Sequence, residues 1–544
     1  MLAAWEVMSL GPVRCPASLL KEDGKMKLGG GSPSKNNQTA TDACYAIIPS
    51  VLHMQYTGDE TMSKLVRVAY MMALLPIPAT AQQVAPTQSK ITAVEQRLTS
   101  VVVLAGTPTP RRTIEAEMRR LNVPGVSVAV MHGGTIEWSK GYGITRAGGP
   151  SVTPYTLFQA GSISKPITAL AALRLIQQHR LTLDDDVNAQ LRGWKLPTPP
   201  GEHVTLRQLL SHTAGTTVHG FPGYAAGVAV PSVDDLLAGR APANTKPVVL
   251  DTKPGTMWRY SGGGYTVIQK LIGDVTDRPF AEVLRGEVLQ PAGMTRSSFA
   301  QPLDAASLAT AAWPHDGSGK PVPGGPHTYP ELAAAGLWST PSDLLRYAIA
   351  VRDSARGEKG SILDRSLAVA MLTPGKGEWG LGLEVHPTLA DRAFAHGGSN
   401  EGYENFMVAY TGSGDGVAVM TNGAQGAELG SEITRSVAAA YGWPSYHSIE
   451  RASVPIPADI RTRLIGTYTV SDLGSFTITA NGPDLAISLK EGVSEPLYAS
   501  APDSYFVLST DLVLRVNSRE PKVTGRLVMG SFDWPFARET DAKP

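Results

Sequence analysis

The chain has 544 residues, more than one ordinary domain needs, and carries 48 basic and 48 acidic side chains. So even a balance leaves no bulk charge to recruit nucleic acid or an anionic membrane surface. With 42% hydrophobic residues, 56 glycines and 41 prolines, the composition excludes a disordered chain and fits a loop-rich globular enzyme.

Residues 1–61 show no sustained periodicity and include the polar run 29–38, so they read as a disordered leader. At Met62 a basic segment begins (Lys64, Arg67), followed by a short apolar stretch and a small-x-small site ending at Ala81. That is the layout of a signal peptide, 62–81, too short for a membrane span. Met62 then reads as the physiological start and 1–61 as an over-extended reading frame; the alternative is a real extension ahead of a short buried helix. Both cysteines, Cys15 and Cys44, fall in the leader, so the mature chain has no disulfide, thiolate or cysteine nucleophile. Export without cysteines suits a bacterial periplasm or secretion, and with no lipobox cysteine after the signal the expectation is a soluble protein without an anchor.

Residues 82–110 are rich in Gln, Thr and Pro and read as a linker. A helical pattern through Ile114, Met118 and Leu121 stops at Pro124-Gly125, and a hairpin follows, with 126–131 and 135–143 as its strands. The next stretch, 158–173, is an extended approach, a glycine turn at Gly161 and a long apolar helix. Ser162 and Lys165 lie three apart in its first turn, on one face. Pro166 is tolerated there because the first turn has amides without intrahelical partners. A lysine held by a serine in a water-poor site can shift toward its neutral form and take the serine proton. Ser-x-x-Lys also occurs at Ser18/Lys21 and Ser32/Lys35, but the leader gives neither a helix.

Asp184-Asp185-Asp186 reads as an exposed turn rather than a metal site, having no histidine or second carboxylate cluster nearby. Segment 204–215 is a capped amphipathic helix whose terminal His212 is placed to bond the last carbonyls, a structural role. A glycine-rich loop, 254–265, carries Tyr260 at its rim before a helix over 266–276. Phrase 335–344 caps another helix, and His396-Gly397-Gly398-Ser399 leads into strands at 404–410 and 416–421, then a helix at 431–441. Residues 446–458 read as a second linker. Beyond it, seven short alternating segments (464–470, 475–480, 485–490, 505–509, 512–516, 523–529 and 534–538) suggest a small antiparallel barrel spanning 459–544.

Ser162-x-x-Lys165, Tyr260-Ser261-Gly262 and His396-Gly397-Gly398 occur in the order and spacing of three motifs of the serine β-lactamase-related enzymes, which the chain resembles over 111–442. That family includes class C β-lactamases, D,D-peptidases, D-aminopeptidases and β-lactamase-like carboxylesterases. The implied fold is α/β (α+β): an antiparallel sheet flanked by helices, with an all-helical region, over 111–445. The C-terminal piece resembles the lipocalin-like barrel some of these peptidases carry. The resemblance implies Ser162 as acylated nucleophile, Lys165 as its base directly or through Tyr260, and Tyr260 as proton shuttle to the leaving group and later to water. The backbone amides of Ser162 and Ser399 would form an oxyanion hole, with Gly262, His396, Gly397 and Gly398 completing the catalytic and substrate-binding motifs.

Two departures bear on substrate. Gly262 stands where β-lactamases usually have asparagine, and so lacks that amide. His396 stands where they usually have lysine, and an ordinary histidine is about half charged near pH 6.5. Both shift the expectation from β-lactams toward carboxyl esters or small D-amino-acid peptides. A class C-like β-lactamase, and a sensor that is acylated but turns over slowly, are the alternatives. No Gly-x-Ser-x-Gly elbow, His-Glu-x-x-His or P-loop occurs, so no metal or organic cofactor is implied, and the expected partner is a small molecule.

Overall fold

A computed structural model of the chain describes residues 80–108, 111–386, 391–470, 474–490, 493–517, 522–529 and 532–539. The leader and all but the last two residues of the signal-like segment lie outside the described residues. Residues 80–86 are described as backbone only.

The stretch expected as the first linker is largely structured. Helix α1, Thr80–Gln96, is followed by strand β1, Val102–Leu104. Ile91, Val94 and Leu98 recur at helical spacing and join the apolar core, although Gln, Thr and Pro dominate the composition. A further helix, α2, Ile114–Arg120, begins at Thr113, whose side chain accepts from Ala116 N–H.

The main sheet has six antiparallel strands in the order β3-β2-β7-β6-β5-β4. These are β2, Gly125–His132; β3, Thr135–Gly143; β4, Glu384–His386; β5, Ala393–Asn400; β6, Tyr403–Tyr410; and β7, Gly416–Thr421. The expected hairpin β2–β3 thus joins the late strands, β2 pairing directly with β7. Alternate residues serve two cores. Val126, Val128, Val130, Val408, Val417 and Val419 pack beneath the late helix α8, Gly426–Tyr441. Ala129, Met131, Met407, Ala409, Ala418 and Met420 face the other core, shared with the helices Ser164–Gln177 and Pro341–Arg356.

Helix α3, Ser164–Gln177, follows a single 3-10 turn at Gly161–Ile163, and its residues 167–173 are buried without interruption. An all-round apolar helix requires such a position. Around it lie α4, Leu206–Leu210; α5, Gly262–Thr276; and the short α6, Leu332–Ala335. Helix α7, Pro341–Arg356, has proline at its first turn, the Thr340 hydroxyl accepting from Asp343 N–H, and a left-handed Gly357 at its end.

The second expected linker also contains structure. Strand β8, Ile449–Arg451, pairs in parallel with β1, Val102 opposite Ile449 and Leu104 opposite Arg451. Eight antiparallel strands then close a barrel: β9, Gly466–Val470; β10, Gly474–Asn481; β11, Asp484–Lys490; β12, Val493–Ala501; β13, Ser504–Phe506; β14, Leu512–Asn517; β15, Thr524–Met529; and β16, Phe532–Arg538. The sequence pattern missed β12, whose Glu495, Pro496, Ala499 and Ser500 carry little strand propensity. The barrel interior is filled by side chains. Tyr468 stacks on Phe476 at 5.0 Å between ring centres, and Phe536 meets both edge-on. The barrel joins the rest of the chain through Val102 N–H to Leu508 O, 3.1 Å, and Val454 N–H to Ala499 O, 2.8 Å, with Phe506 buried against Val101 and Val102.

Candidate active site

Ser162 sits in the 3-10 turn and Lys165 in the first turn of α3, so one continuous helical path aligns them. The Lys165 side-chain nitrogen lies 2.9 Å from Ser162 Oγ and donates to Ala334 O of α6, 2.9 Å away. Lys165 is almost fully buried, and its nitrogen lies 4.8 Å from the ring centre of Tyr260 and 5.9 Å from that of Tyr265. Burial pushes the Tyr265 phenol well above its usual value, and its hydroxyl donates to Leu210 O. Tyr265 is therefore a protonated platform under the lysine.

The turn holding Ser162 lies flush against β5, which only glycine permits. Gly161 has φ +55°, and a Cβ there would fall 2.6 Å from the Ser399 nitrogen. A Cβ on Gly398 would fall 2.0 Å from Ala160 O. This contact brings the Ser162 and Ser399 backbones to one wall of a cavity of about 510 Å³, also lined by Lys165 and Tyr260. Ser162 and Ser399, the two residues whose amides the resemblance implies as an oxyanion hole, therefore line the same cavity. Buried amide side chains lock the arrangement: Asn405 donates to Gln159 O and Gly398 O, while Asn400 donates to Gln159 Oε1 at 2.8 Å.

Tyr260 is positioned from behind. Ser261 caps α5, its hydroxyl accepting from Gly264 N–H and donating to Thr217 O. His212 is buried, its Nδ1 accepting from Ser261 N–H at 3.1 Å and its ring 4.3 Å from that of Tyr260. It bonds an amide at the α5 cap rather than the carbonyls expected of a helix-end histidine. Burial, then Lys165, hold it well below the ordinary imidazole value, so it is neutral with its proton on Nε2. Trp258 and Trp379 complete this aromatic wall.

The two departures acquire physical reasons here. A Cβ on Gly262 would lie 2.7 Å from Phe221 Cε2 and 2.9 Å from His219 O, so an asparagine has no room unless this loop moves. Gly262 is the first residue of α5, and neither it nor Gly397, Gly398 or His396 contributes to the cavity wall. His396 is buried behind Tyr260, 6.4 Å between ring centres, with Nδ1 donating to Gly397 O. Burial, then Lys165, push its pKa down to about 3. The half-charged imidazole expected near pH 6.5 is therefore a neutral one, unable to offer a cation to a substrate carboxylate.

Sequence reasoning found Ser162, Lys165, Tyr260 and Ser399 but missed much of the wall. His219, Gly220, Phe221 and Pro222 line the cavity from a loop with no legible chemistry, and Tyr329 lines it too. Asn405 left a usable signal, as an amide inside the apolar strand β6.

The fold and the pocket define a class, a two-core α/β domain with a serine–lysine–tyrosine pocket at the junction of helix α3 and strand β5. The sequence profile of the family described as Beta-lactamase matches residues 110–442, and the chain belongs to that family, a membership consistent with serine hydrolase activity on small molecules. The protein PbpX of Bacillus subtilis (strain 168) is 25% identical over 316 residues, covering 58% of this chain and 74% of PbpX. Protein flp of Staphylococcus aureus (strain N315) is 28% identical over 244 residues, covering 42% of this chain and 44% of its own length. The octameric penicillin-binding protein homologue from Pyrococcus abyssi superposes with a TM-score of 0.51 at 22% identity, over 78% of this chain and 98% of that one, a likeness of fold. Among the described residues no helix is long and apolar enough to cross a membrane.

Proposed function

We propose that the protein is a serine hydrolase working through an acyl-enzyme at Ser162, on carboxyl esters or small peptides, including those of D-amino acids. The observation that carries this reading is the 2.9 Å contact between Lys165 Nζ and Ser162 Oγ at the cavity wall. Lys165, with Tyr260 beside it, takes the serine proton as Ser162 Oγ attacks the acyl carbon. The Ser162 and Ser399 amides receive the oxyanion, and the proton passes through Tyr260 to the leaving group. Water then attacks the acyl-enzyme by the reverse proton path. The buried neutral His396 and the filled space at Gly262 weigh against efficient turnover of β-lactams, which carry a carboxylate. We also assign the mature chain to the bacterial periplasm or outside the cell, on the signal-like segment 62–81.

The test compares initial rates on a short-chain p-nitrophenyl ester and a chromogenic cephalosporin, with Ser162→Ala as blank. Faster, Ser162-dependent ester turnover is expected. Faster cephalosporin turnover would move the protein to the β-lactamase reading. A stable adduct on Ser162 without multiple turnovers would make it a sensor, and ester hydrolysis surviving in Ser162→Ala would end the acyl-enzyme assignment.

A further inference from the structure

One wall of the cavity belongs to none of the three motifs. It is made by the loop 217–224, whose residues His219, Gly220, Phe221 and Pro222 line the space shared with Ser162. This loop is pinned on two sides. Toward α5, His219 O accepts from Gly262 N–H at 3.0 Å and Val218 O from Gly263 N–H at 2.9 Å. Toward the segment 327–329, Tyr224 and Thr328 exchange backbone bonds of 2.9 and 2.8 Å, and His327 Nδ1 donates to Pro222 O at 3.0 Å. His327 O in turn accepts from the side-chain amide of Gln159, in the strand that leads to Ser162.

The backbone of the loop is also strained where it enters the wall. Val218 has φ +64°, a left-handed conformation that a β-branched side chain seldom takes. Such a residue persists where the surroundings fix it, and sites that bind or react are where such strain gathers. The shape it enforces presents Phe221 to the cavity. The ring is half-buried, packs on the main core, and crosses the first turn of α5, since a Cβ on Gly262 would lie 2.7 Å from Cε2 and 3.4 Å from Cδ2. Among the described lining residues Phe221 is the only large side chain without a polar group. Its effect on a bound molecule is therefore one of volume, not of charge or hydrogen bonding.

We infer that Phe221 is the specificity-determining residue that sets the size of the group admitted beside Ser162. Its ring fills the volume toward α5 into which a branched or aryl substituent would extend, so small unbranched esters are taken in preference to bulky ones. This rests on the acyl-enzyme reading above and deepens it.

The test measures kcat/KM in two ester series. In the first the acyl group grows, from p-nitrophenyl acetate to the pivalate and the benzoate. In the second the alcohol grows, from phenyl acetate to 1-naphthyl acetate. Each bulky ester is expressed as a ratio to the small one of its series, and that ratio is compared between proteins, so that intrinsic reactivity and a general loss of activity both cancel. Phe221→Ala should raise the ratio by roughly tenfold or more in at least one series, since a hydrophobic pocket already discriminates on that scale over one methylene. Phe221→Leu should raise it less, and Phe221→Trp should lower it. The series that responds identifies the half of the substrate lying against the ring. If Phe221→Ala does not fold, Phe221→Leu and Phe221→Trp decide by moving the ratio in opposite directions. Ratios unmoved in both series, or moved the same way by the larger and the smaller side chains, overturn the inference while Ser162-dependent hydrolysis leaves the acyl-enzyme reading in place. Failure to hydrolyse even the smallest esters, or hydrolysis surviving in Ser162→Ala, removes that reading as well.

Discussion

The six-stranded sheet buries both faces under helices yet leaves a cavity where β5 meets the turn before α3, whereas the barrel closes on itself and fills its interior. Glycine and aromatic residues make the difference. At the sheet, Gly161 and Gly398 let two backbones touch, so that the turn carrying Ser162 lies against the strand carrying Ser399 beside an open cavity. In the barrel, Tyr468, Phe476 and Phe536 interlock across the space another barrel would leave for a ligand. The chemistry of the chain is concentrated where side-chain packing stops short, and its C-terminal stability where packing is complete.

Three substitutions sharpen or break that contrast. The largest effect is expected from Lys165→Ala, which removes the side chain touching Ser162 and proposed as its base. Acylation should slow by ~10²–10⁴-fold, measured as the pre-steady-state rate on an ester. A near-normal rate would take Lys165 out of the chemistry and leave it a packing residue, as in the barrel.

Next comes Phe536→Ala in the barrel. Deleting a buried phenylalanine should cost about 3–5 kcal/mol of barrel stability, read as a lower denaturant midpoint followed by barrel fluorescence. Acylation of Ser162 in buffer should stay close to wild type. A parallel loss of acylation would show that the barrel supports the site directly.

The smallest effect is expected at Glu331, which precedes α6. Its carboxyl oxygens are buried without hydrogen-bond partners, and burial raises its pKa to about 8. A carboxyl raised in the folded state stabilises most below its unfolded value of 4.5, and that contribution is lost as pH rises through about 8. Wild-type stability should therefore fall across this window, by at most ~1.4 kcal/mol per pH unit from this group. Glu331→Gln should flatten the fall in melting temperature. An unchanged pH profile would mean that Glu331 is paired or solvated in solution.

The site was more legible than its surroundings. Ser162 and Lys165 declare themselves because helix periodicity fixes their relation within four residues. Tyr260-Ser261-Gly262 was legible only through the family resemblance, since the sequence pattern began the helix at 266 whereas it starts at Gly262, capped by Ser261. The charge of His396 was misjudged, since burial behind Tyr260 depends on Trp379 and on α3, elements distant in sequence. Asn405 passed as an ordinary strand residue, its significance arising only when β6 pairs with β5. Both linkers were misread for a related reason. Ile91, Val94 and Leu98 hold the helix end to the sheet core, Val101 and Val102 pack on Phe506, and β8 pairs with β1, more than three hundred residues away in sequence. Strand β12 escaped because its pairing with β11 and β13 overrides a sequence poor in strand formers.

The pairing of β1 with β8 carries a mechanical consequence. The chain enters the hydrolase region through one strand and leaves through the other, and the two run in the same direction. A pull between the segment before β1 and the segment after β8 therefore acts on opposite ends of the pair, along the strands and across their hydrogen bonds. The ladder is loaded in shear, all of its bonds together, instead of being unzipped one bond at a time. Tension transmitted from the barrel side would meet this clasp before it reached the turn holding Ser162, so that turn is set apart from strain on the tail of the protein.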